Sequence, residues 1–486
     1  MKIFISLGLV ASLLTGCSPQ QNENKSASDL RNWFPFLNES PKSAEKISIK
    51  SLDGKALAGA QILIGTHPGA LDNNFFQADE NGEFYVPASW QGPETLTVEA
   101  PGYMRMTVIA AEPKSQTLSL RKISAAQKVE VKGITTGHNI VDRDGLIDFG
   151  LVIPALTKTD LLAFNINSVI STEVDTISVA GQELAIPSNV SLPRQKESYI
   201  IPITIEKAQY RVYFDELGAI ERVYAAKGRF PFKSVANQMR NGAKFFDVIN
   251  EFSITGGAIR DIELKSASNR LDIPTTELSF TDKKVVSSPA FAKDELAIAV
   301  GISQASGYLI PTDLKRLTAN GKMTLNLAPQ TESSLLTVIK RTSEMEGTGP
   351  GIDRISASLI PFEAGDTRPS HLPLMPNPTV LSPRELSIPT VPTIQGVNPL
   401  ATYSIISTIT EKTVNGTKVI QSQPQWEIYA PKWASEIKLP DWPHNTLTGK
   451  KRWQVALIGS TSASEAEMNP NVVKDVTHVT NSSVDF

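Results

Sequence analysis

Apolar residues two positions apart, set between turn dipeptides, recur along most of this chain, and that spacing constrains the fold more than any other feature. A strand turns successive side chains to opposite faces, so the pairs Ile47/Ile49, Ile62/Ile64, Phe84/Val86, Leu96/Val98 and Leu118/Leu120 each line one face of a strand. Asp53-Gly54, Asn81-Gly82 and Pro101-Gly102 stand between them at intervals suited to a small sandwich. Long runs with apolar residues at every third and fourth position are scarce. At 486 residues the chain exceeds one ordinary domain, and 41% hydrophobic content is enough for packed cores. The expectation is a mainly β protein, a multi-domain chain of β-sandwiches.

Within residues 46–122 the strings "DGKALAGAQILIG", "ADENGEFYVP" and "VEAPGY" resemble the carboxypeptidase regulatory-like domain, a transthyretin-like β-sandwich. The resemblance implies that Asp79, Gly82 and Phe84 make a hairpin turn and plug an aromatic ring into the core, a packing role. It also implies a non-catalytic module that accompanies peptidases, adhesins and nutrient receptors alike.

Further strand patterns between Ile123 and Phe362 predict a larger β-rich middle domain, residues 123–365. One helix is expected there, from Val235, Met239, Ala243, Phe246 and Ile249 with Ser234 as its N-cap. Proline is concentrated over residues 361–399, where a domain junction is placed near Asp366. Beyond it, Asn415-Gly416 between two strand patterns is a hairpin signal, and residues 366–486 are read as a Pro-rich junction and a terminal immunoglobulin-like or fibronectin-like sandwich.

The N-terminus places Lys2 before an apolar run, Ile3 to Leu14, that is too short for the roughly 20 residues a membrane-spanning helix needs. It has the form of a secretory signal, residues 1–16. The run ends in Leu14-Thr15-Gly16-Cys17, which resembles the lipobox of bacterial lipoproteins. That resemblance implies lipidation at Cys17, the chain's only cysteine, and Ser18 after it goes with sorting to the outer membrane. The alternative is an ordinary signal peptide with a chance cysteine. Two or three acyl chains anchor stably where one binds only marginally. Residues 17–45 are polar and read as a tether, with an aromatic knot at Trp33, Phe34 and Phe36 that docks on the first domain or rests at the membrane interface.

Chemistry is harder to find. The five histidines, His67, His138, His371, His444 and His478, are scattered with no H-E-x-x-H pair, and no Gly-x-Ser-x-Gly string occurs. Gly347-Thr348-Gly349-Pro350-Gly351 lacks the strand, helix and Lys-Ser or Lys-Thr that a phosphate loop requires, and reads as a loop. Asp142, Asp144 and Asp148 around Gly145 could wrap Ca²⁺, but Ile140 and Leu151 stand where an EF-hand-like loop wants acids, so an Asp-Gly turn is the plainer reading. Trp426 and Trp453 fall in strand patterns and read as core. Trp433 and Trp442 fall in Pro-rich loops, where rings could stack on a sugar, but core packing is the cheaper explanation and they are not assigned as a site. No catalytic residue, cofactor or metal site is assigned.

A net charge of -3 and no basic run exclude a nucleic-acid partner on electrostatic grounds. The expected partners are the membrane, through Cys17, and a protein or glycan ligand in the envelope. The expected function is a non-catalytic binding, adhesion or structural role; the alternative is an envelope hydrolase with the first sandwich as its accessory domain.

Overall fold

The computed structural model describes residues 45–69, 74–123, 128–138, 145–156, 174–179, 182–192, 207–215, 217–243, 245–305, 307–341, 354–414, 417–443, 448–467 and 475–486. The chain is mainly β, and its described residues form several sheets and two short helices. It forms two compact units. The described residues of Gln127–Gly351 and Ile355–His371 make a middle unit, and those of Leu13–Ala126 and Leu372–Phe486, with Arg354, make a composite unit built from both ends of the sequence.

In the middle unit, strands Val190–Ser191, Leu146–Pro154, Ile220–Pro231, Ser253–Glu263 and Leu278–Ser279 form an antiparallel sheet. A second sheet pairs Val129–Thr136 with Gln209–Phe214 and, in parallel, with Ser268–Arg270. Val131, Val152, Tyr210, Val212, Val223 and Ala225 close the core between them. The alternate residues Tyr224 and Ala226 face another core with Ile302, Leu309 and Ile310. Because that sheet is buried on both faces, the run Val223-Tyr224-Ala225-Ala226 is continuously apolar instead of alternating. Strands Tyr308–Leu317, Glu295–Ala305, Glu332–Arg341 and Ile355–Pro361 form the sheet that carries the second core.

The spacing from Val235 to Ile249 yields two short helices where the sequence reads as one. Phe232–Arg240 begins at Pro231 in the N-cap position, with Ser234 inside its first turn. The chain then turns through Gly242, whose φ of +95° costs glycine little, before Phe245–Val248 and a 3₁₀ turn, Ile249–Glu251.

In the composite unit, Lys46–Ser51 lies between Glu83–Tyr85 and, in parallel, Gln116–Leu120. The larger sheet runs through Phe75–Gln77, Gln61–Ile64, Glu94–Glu99, Arg105–Ala111, Thr417–Ala430, Asn398–Val414, Lys451–Ser460 and His478–Asp485. Segments that the sequence pattern sets apart as first and last sandwiches therefore share one unit: Arg105–Ala111 pairs parallel with Thr417–Ala430. They also share a core, in which Leu63 and Phe75 pack with Ile406, Trp426, Ile428, Trp453 and Val455.

The turn at Asp79 shows why these residues fold locally as they do. The Asp79 carboxylate Oδ1 accepts hydrogen bonds from the backbone N–H of Asn81 (2.9 Å) and Glu83 (2.8 Å). Gly82, at φ +70°, lies so close to its neighbours that a Cβ there would sit 2.6 Å from the Ile49 carbonyl oxygen. Phe84 is then delivered to the core against Phe76, with ring centroids 4.9 Å apart.

Candidate functional site

A buried arrangement of charged and polar side chains lies where the two sequence-distant parts of the composite unit meet. The parallel register sets Trp426 beside Arg105, Glu427 beside Met106, Ile428 beside Thr107 and Tyr429 beside Val108. Alternation sends the two kinds of residue to opposite faces. On one face the Arg105 guanidinium, 3% exposed, lies 4.4 Å from the ring centroid of Trp426 and 5.0 Å from that of Trp442, and donates to Glu99 at 2.8 Å. Trp426 Nε1 donates to Thr107 Oγ1 at 2.9 Å. A desolvated cation over aromatic faces is worth about 2 kcal/mol, so this face of the seam is held by charge as well as by area.

On the other face stands Glu427, 1% exposed. Its Oε1 accepts a hydrogen bond from the Tyr403 hydroxyl at 2.7 Å and lies 2.7 Å from Arg121 Nε. Burial pushes its carboxyl above the ordinary 4.5, against the lowering pull of Arg121 and of the Tyr403 hydrogen bond. Tyr403 in turn is raised well above its usual range by burial and by the neighbouring carboxylate. Neither the carboxylate nor the Arg105 guanidinium reaches solvent. Such a network joins strands and does not present a reacting atom.

The middle unit holds its own buried charges. Lys207, 7% exposed, donates from Nζ to the carbonyl oxygens of Ser188 (2.9 Å), Gln209 (3.2 Å) and Val190, and pairs with Asp175 at 3.1 Å. Burial lowers its pKa against the pull of Asp175. Asp148 is buried and accepts from Arg229 Nε at 2.9 Å. Close by, His138 Nε2 and Thr135 Oγ1 are 2.9 Å apart.

Threonine hydroxyl, imidazole and carboxylate are the ingredients of nucleophilic catalysis, but Thr135 is 4% exposed, and burial pushes His138 down to about 4. The imidazole is therefore neutral across the physiological range. Folding depresses the affinity of His138 for a proton, so its contribution to stability is fully present above about 6.5 and is lost as pH falls from there towards 4. The expected result is that the His138 ring resonances in a proton–nitrogen correlation spectrum stay fixed between pH 8 and roughly 5.5, where an ordinary histidine would titrate. A midpoint near 6.5 would contradict the burial.

Among the described residues, those singled out in the sequence do not converge. Cys17, Asp142, Asp144, His444 and Gly347-Thr348-Gly349-Pro350-Gly351 lie outside the described residues. Asp148 is a strand residue bound to Arg229. Trp426 and Trp453 are interior, as their strand patterns require. Trp442, whose loop setting left a lesser sugar-stacking alternative beside core packing, is 3% exposed and packs between Arg105 and Phe75. Trp433 is partly buried, and its Nε1 donates to the Ile458 carbonyl at 2.7 Å. Among the described residues no group of three or more His, Cys, Asp or Glu side chains is placed to hold a metal ion. Sequence reasoning missed Arg105 and Glu427. Their signal is a charge set inside an apolar strand, Met104-Arg105-Met106 and Trp426-Glu427-Ile428.

No protein-family model matches the chain, and no curated protein does. Solved structures to which it is similar include a variant of the major pilin subunit of Bacillus cereus, at 11% identity over 60% of this chain and 86% of that one, with a TM-score of 0.14. Another is a streptococcal ancillary pilin, at 8% identity over 67% of this chain and 98% of that one, also with a TM-score of 0.14.

Proposed function

We propose that this chain is a lipid-anchored protein of the bacterial cell envelope, held in the outer membrane through Cys17, whose β units act as a non-catalytic binding or structural module. The observation that carries the non-catalytic half is the fate of the deepest charges. Glu427, Arg105 and Lys207 are each spent on joining strands, and in the Thr135–His138–Asp148 grouping the hydroxyl is buried and the imidazole is neutral, while the carboxylate is bound by Arg229. The Leu14-Thr15-Gly16-Cys17 string supports the anchor, and the polar stretch after it supports a tether that holds the β units off the headgroups.

Intact mass and membrane fractionation of the natively expressed chain beside Cys17→Ser test the anchor. Wild type should carry acyl mass and sediment with outer membrane, and the variant should be soluble or unprocessed. Two soluble, unacylated proteins would end the anchoring reading. Assays of the purified chain against ester, peptide and glycoside substrates should show no turnover. Turnover that survives repurification and is lost in His138→Gln would replace this reading with the envelope-hydrolase one.

A further inference from the structure

Strands Asn398–Val414 and Thr417–Ala430 form a ladder that outruns its sheet. On one side Lys451–Ser460 follows the hairpin only as far as Thr408, with one more hydrogen bond from Ile409 N–H to the Lys450 carbonyl at 2.9 Å. On the other side Arg105–Ala111 pairs only with Trp426–Tyr429. Yet Thr410↔Gln421, Glu411↔Ile420, Lys412↔Val419, Thr413↔Lys418 and Val414↔Thr417 continue to pair. The departure point is marked: Ile406 faces Trp426 and Ser407 faces Pro424, so Gln425 is the extra residue of a bulge beside a proline that has no N–H to donate. Among the described residues, the ribbon beyond has two open edges. A two-stranded ribbon is at best marginally stable by itself in water, whereas sheets of three or more strands hold.

We propose that the chain self-associates through the Thr417–Gln423 edge of this ribbon, paired antiparallel with the same edge of a second copy, with Ile420 on the two-fold axis. The register follows from symmetry and charge. A two-fold axis perpendicular to a sheet keeps each residue on its own face, so a residue must lie on the axis opposite its own copy. Centring on Ile420 engages the whole edge: Val419 meets Gln421, Lys418 meets Ser422 and Thr417 meets Gln423, with a β-branched pair in the middle and no like charges opposed. The Thr410–Val414 edge is shorter, and centring it on Glu411 or Lys412 opposes like charges.

The backbone agrees. Counted from the closing pair Val414↔Thr417, bonded and non-bonded pairs alternate, and Glu411↔Ile420 falls among the non-bonded ones. The N–H and C=O of Ile420 therefore point to the open edge, so that centring on Ile420 puts a hydrogen-bonded pair on the axis, with Lys418 and Ser422 supplying the next outward donors.

Sedimentation velocity across a concentration series tests this, on the full chain carrying Cys17→Ser so that lipid does not drive association. The parent should reach twice the monomer mass. Ile420→Pro, which removes only an outward donor, should stay monomeric, as should Ile420→Lys, which opposes two ammonium groups on the axis. Glu411→Pro, which removes the outward donor of the other edge, should still dimerise. Tryptophan fluorescence unfolding midpoints matching the parent would show that each variant is folded, and amide exchange at Lys418, Ile420 and Ser422 should slow as the dimer forms. A parent that is monomeric throughout, a folded Ile420→Pro or Ile420→Lys that still dimerises, or a Glu411→Pro that does not, would each overturn the proposal.

Discussion

Replacing Trp426 with alanine is expected to lower the stability of the composite unit by about 4–5 kcal/mol, the upper end of what truncating a buried aromatic costs. The ring is 1% exposed and packs in the core shared by both ends of the sequence. Its removal leaves a cavity, takes the hydrogen-bond donor from Thr107 and strips one aromatic face from the Arg105 guanidinium. The last loss is separable. In a double-mutant cycle with Arg105→Met, the coupling energy should be about 1–2 kcal/mol, because a well-desolvated cation–π contact is worth that much. Urea unfolding followed by tryptophan fluorescence reads this unit selectively, since Trp90, Trp426, Trp433, Trp442 and Trp453, the tryptophans among the described residues, all lie in it. A loss under about 2 kcal/mol would mean that the two segments are not joined through this ring.

Arg121→Met should cost about 3 kcal/mol at neutral pH, and the cost should shrink on acidification. Removing one partner of a buried ion pair leaves an uncompensated charge, which is worth about 3–5 kcal/mol for fully buried pairs. Arg121 is 22% exposed, which places it at the low end. The sign of the pH dependence follows from the carboxyl. Glu427 already holds its proton above the ordinary 4.5, and without Arg121 it holds it higher still. Between 4.5 and that raised value the folded state binds a proton that the unfolded state does not, so stability rises as pH falls through the window. The gap between wild type and Arg121→Met, measured as denaturant midpoints, should therefore be wider at pH 8 than at pH 5. A pH-independent gap would show that Glu427 is not the group left stranded. Glu427→Leu combined with Arg121→Met should recover much of the loss, since a well-packed apolar pair often replaces a buried ion pair without penalty.

The sequence makes strands and turns legible because their signals are local. The Asp79 turn and the interior Trp426 and Trp453 can be read from a few neighbouring residues. The joining of the two ends is not local. Nothing near Arg105 announces that its sheet neighbour is Trp426, and the pattern around each resembles an ordinary edge or hairpin strand. The helix reading failed for a smaller reason. Ala243 and Phe246 keep the periodicity across Gly242, so the apolar spacing survives a break that the backbone does not. For the candidate site, a charge at an alternating position in an apolar strand marks Arg105 and Glu427 as unusual, but their partners Trp442, Arg121 and Tyr403 become known only when the strands are placed side by side. A loop setting alone does not decide whether Trp442 faces water or core, and here the loop that carries it covers a core.

The parallel contact between Arg105–Ala111 and Thr417–Ala430 also bears on how the chain reaches its native state. Thr107 and Trp426, which share a hydrogen bond, are 319 residues apart. Closing an unstructured loop of that length costs about 5 kcal/mol of chain entropy by the logarithmic law, and contacts of such separation form slowly. A chain emerging from its amino end completes the intervening unit long before residue 426 appears, so the early strands must wait with an unpaired edge. During that interval they are a template for misplaced strands. The connectivity therefore predicts that docking of the carboxy-terminal hairpin comes late in folding, after the middle unit, whose contacts span shorter stretches of chain.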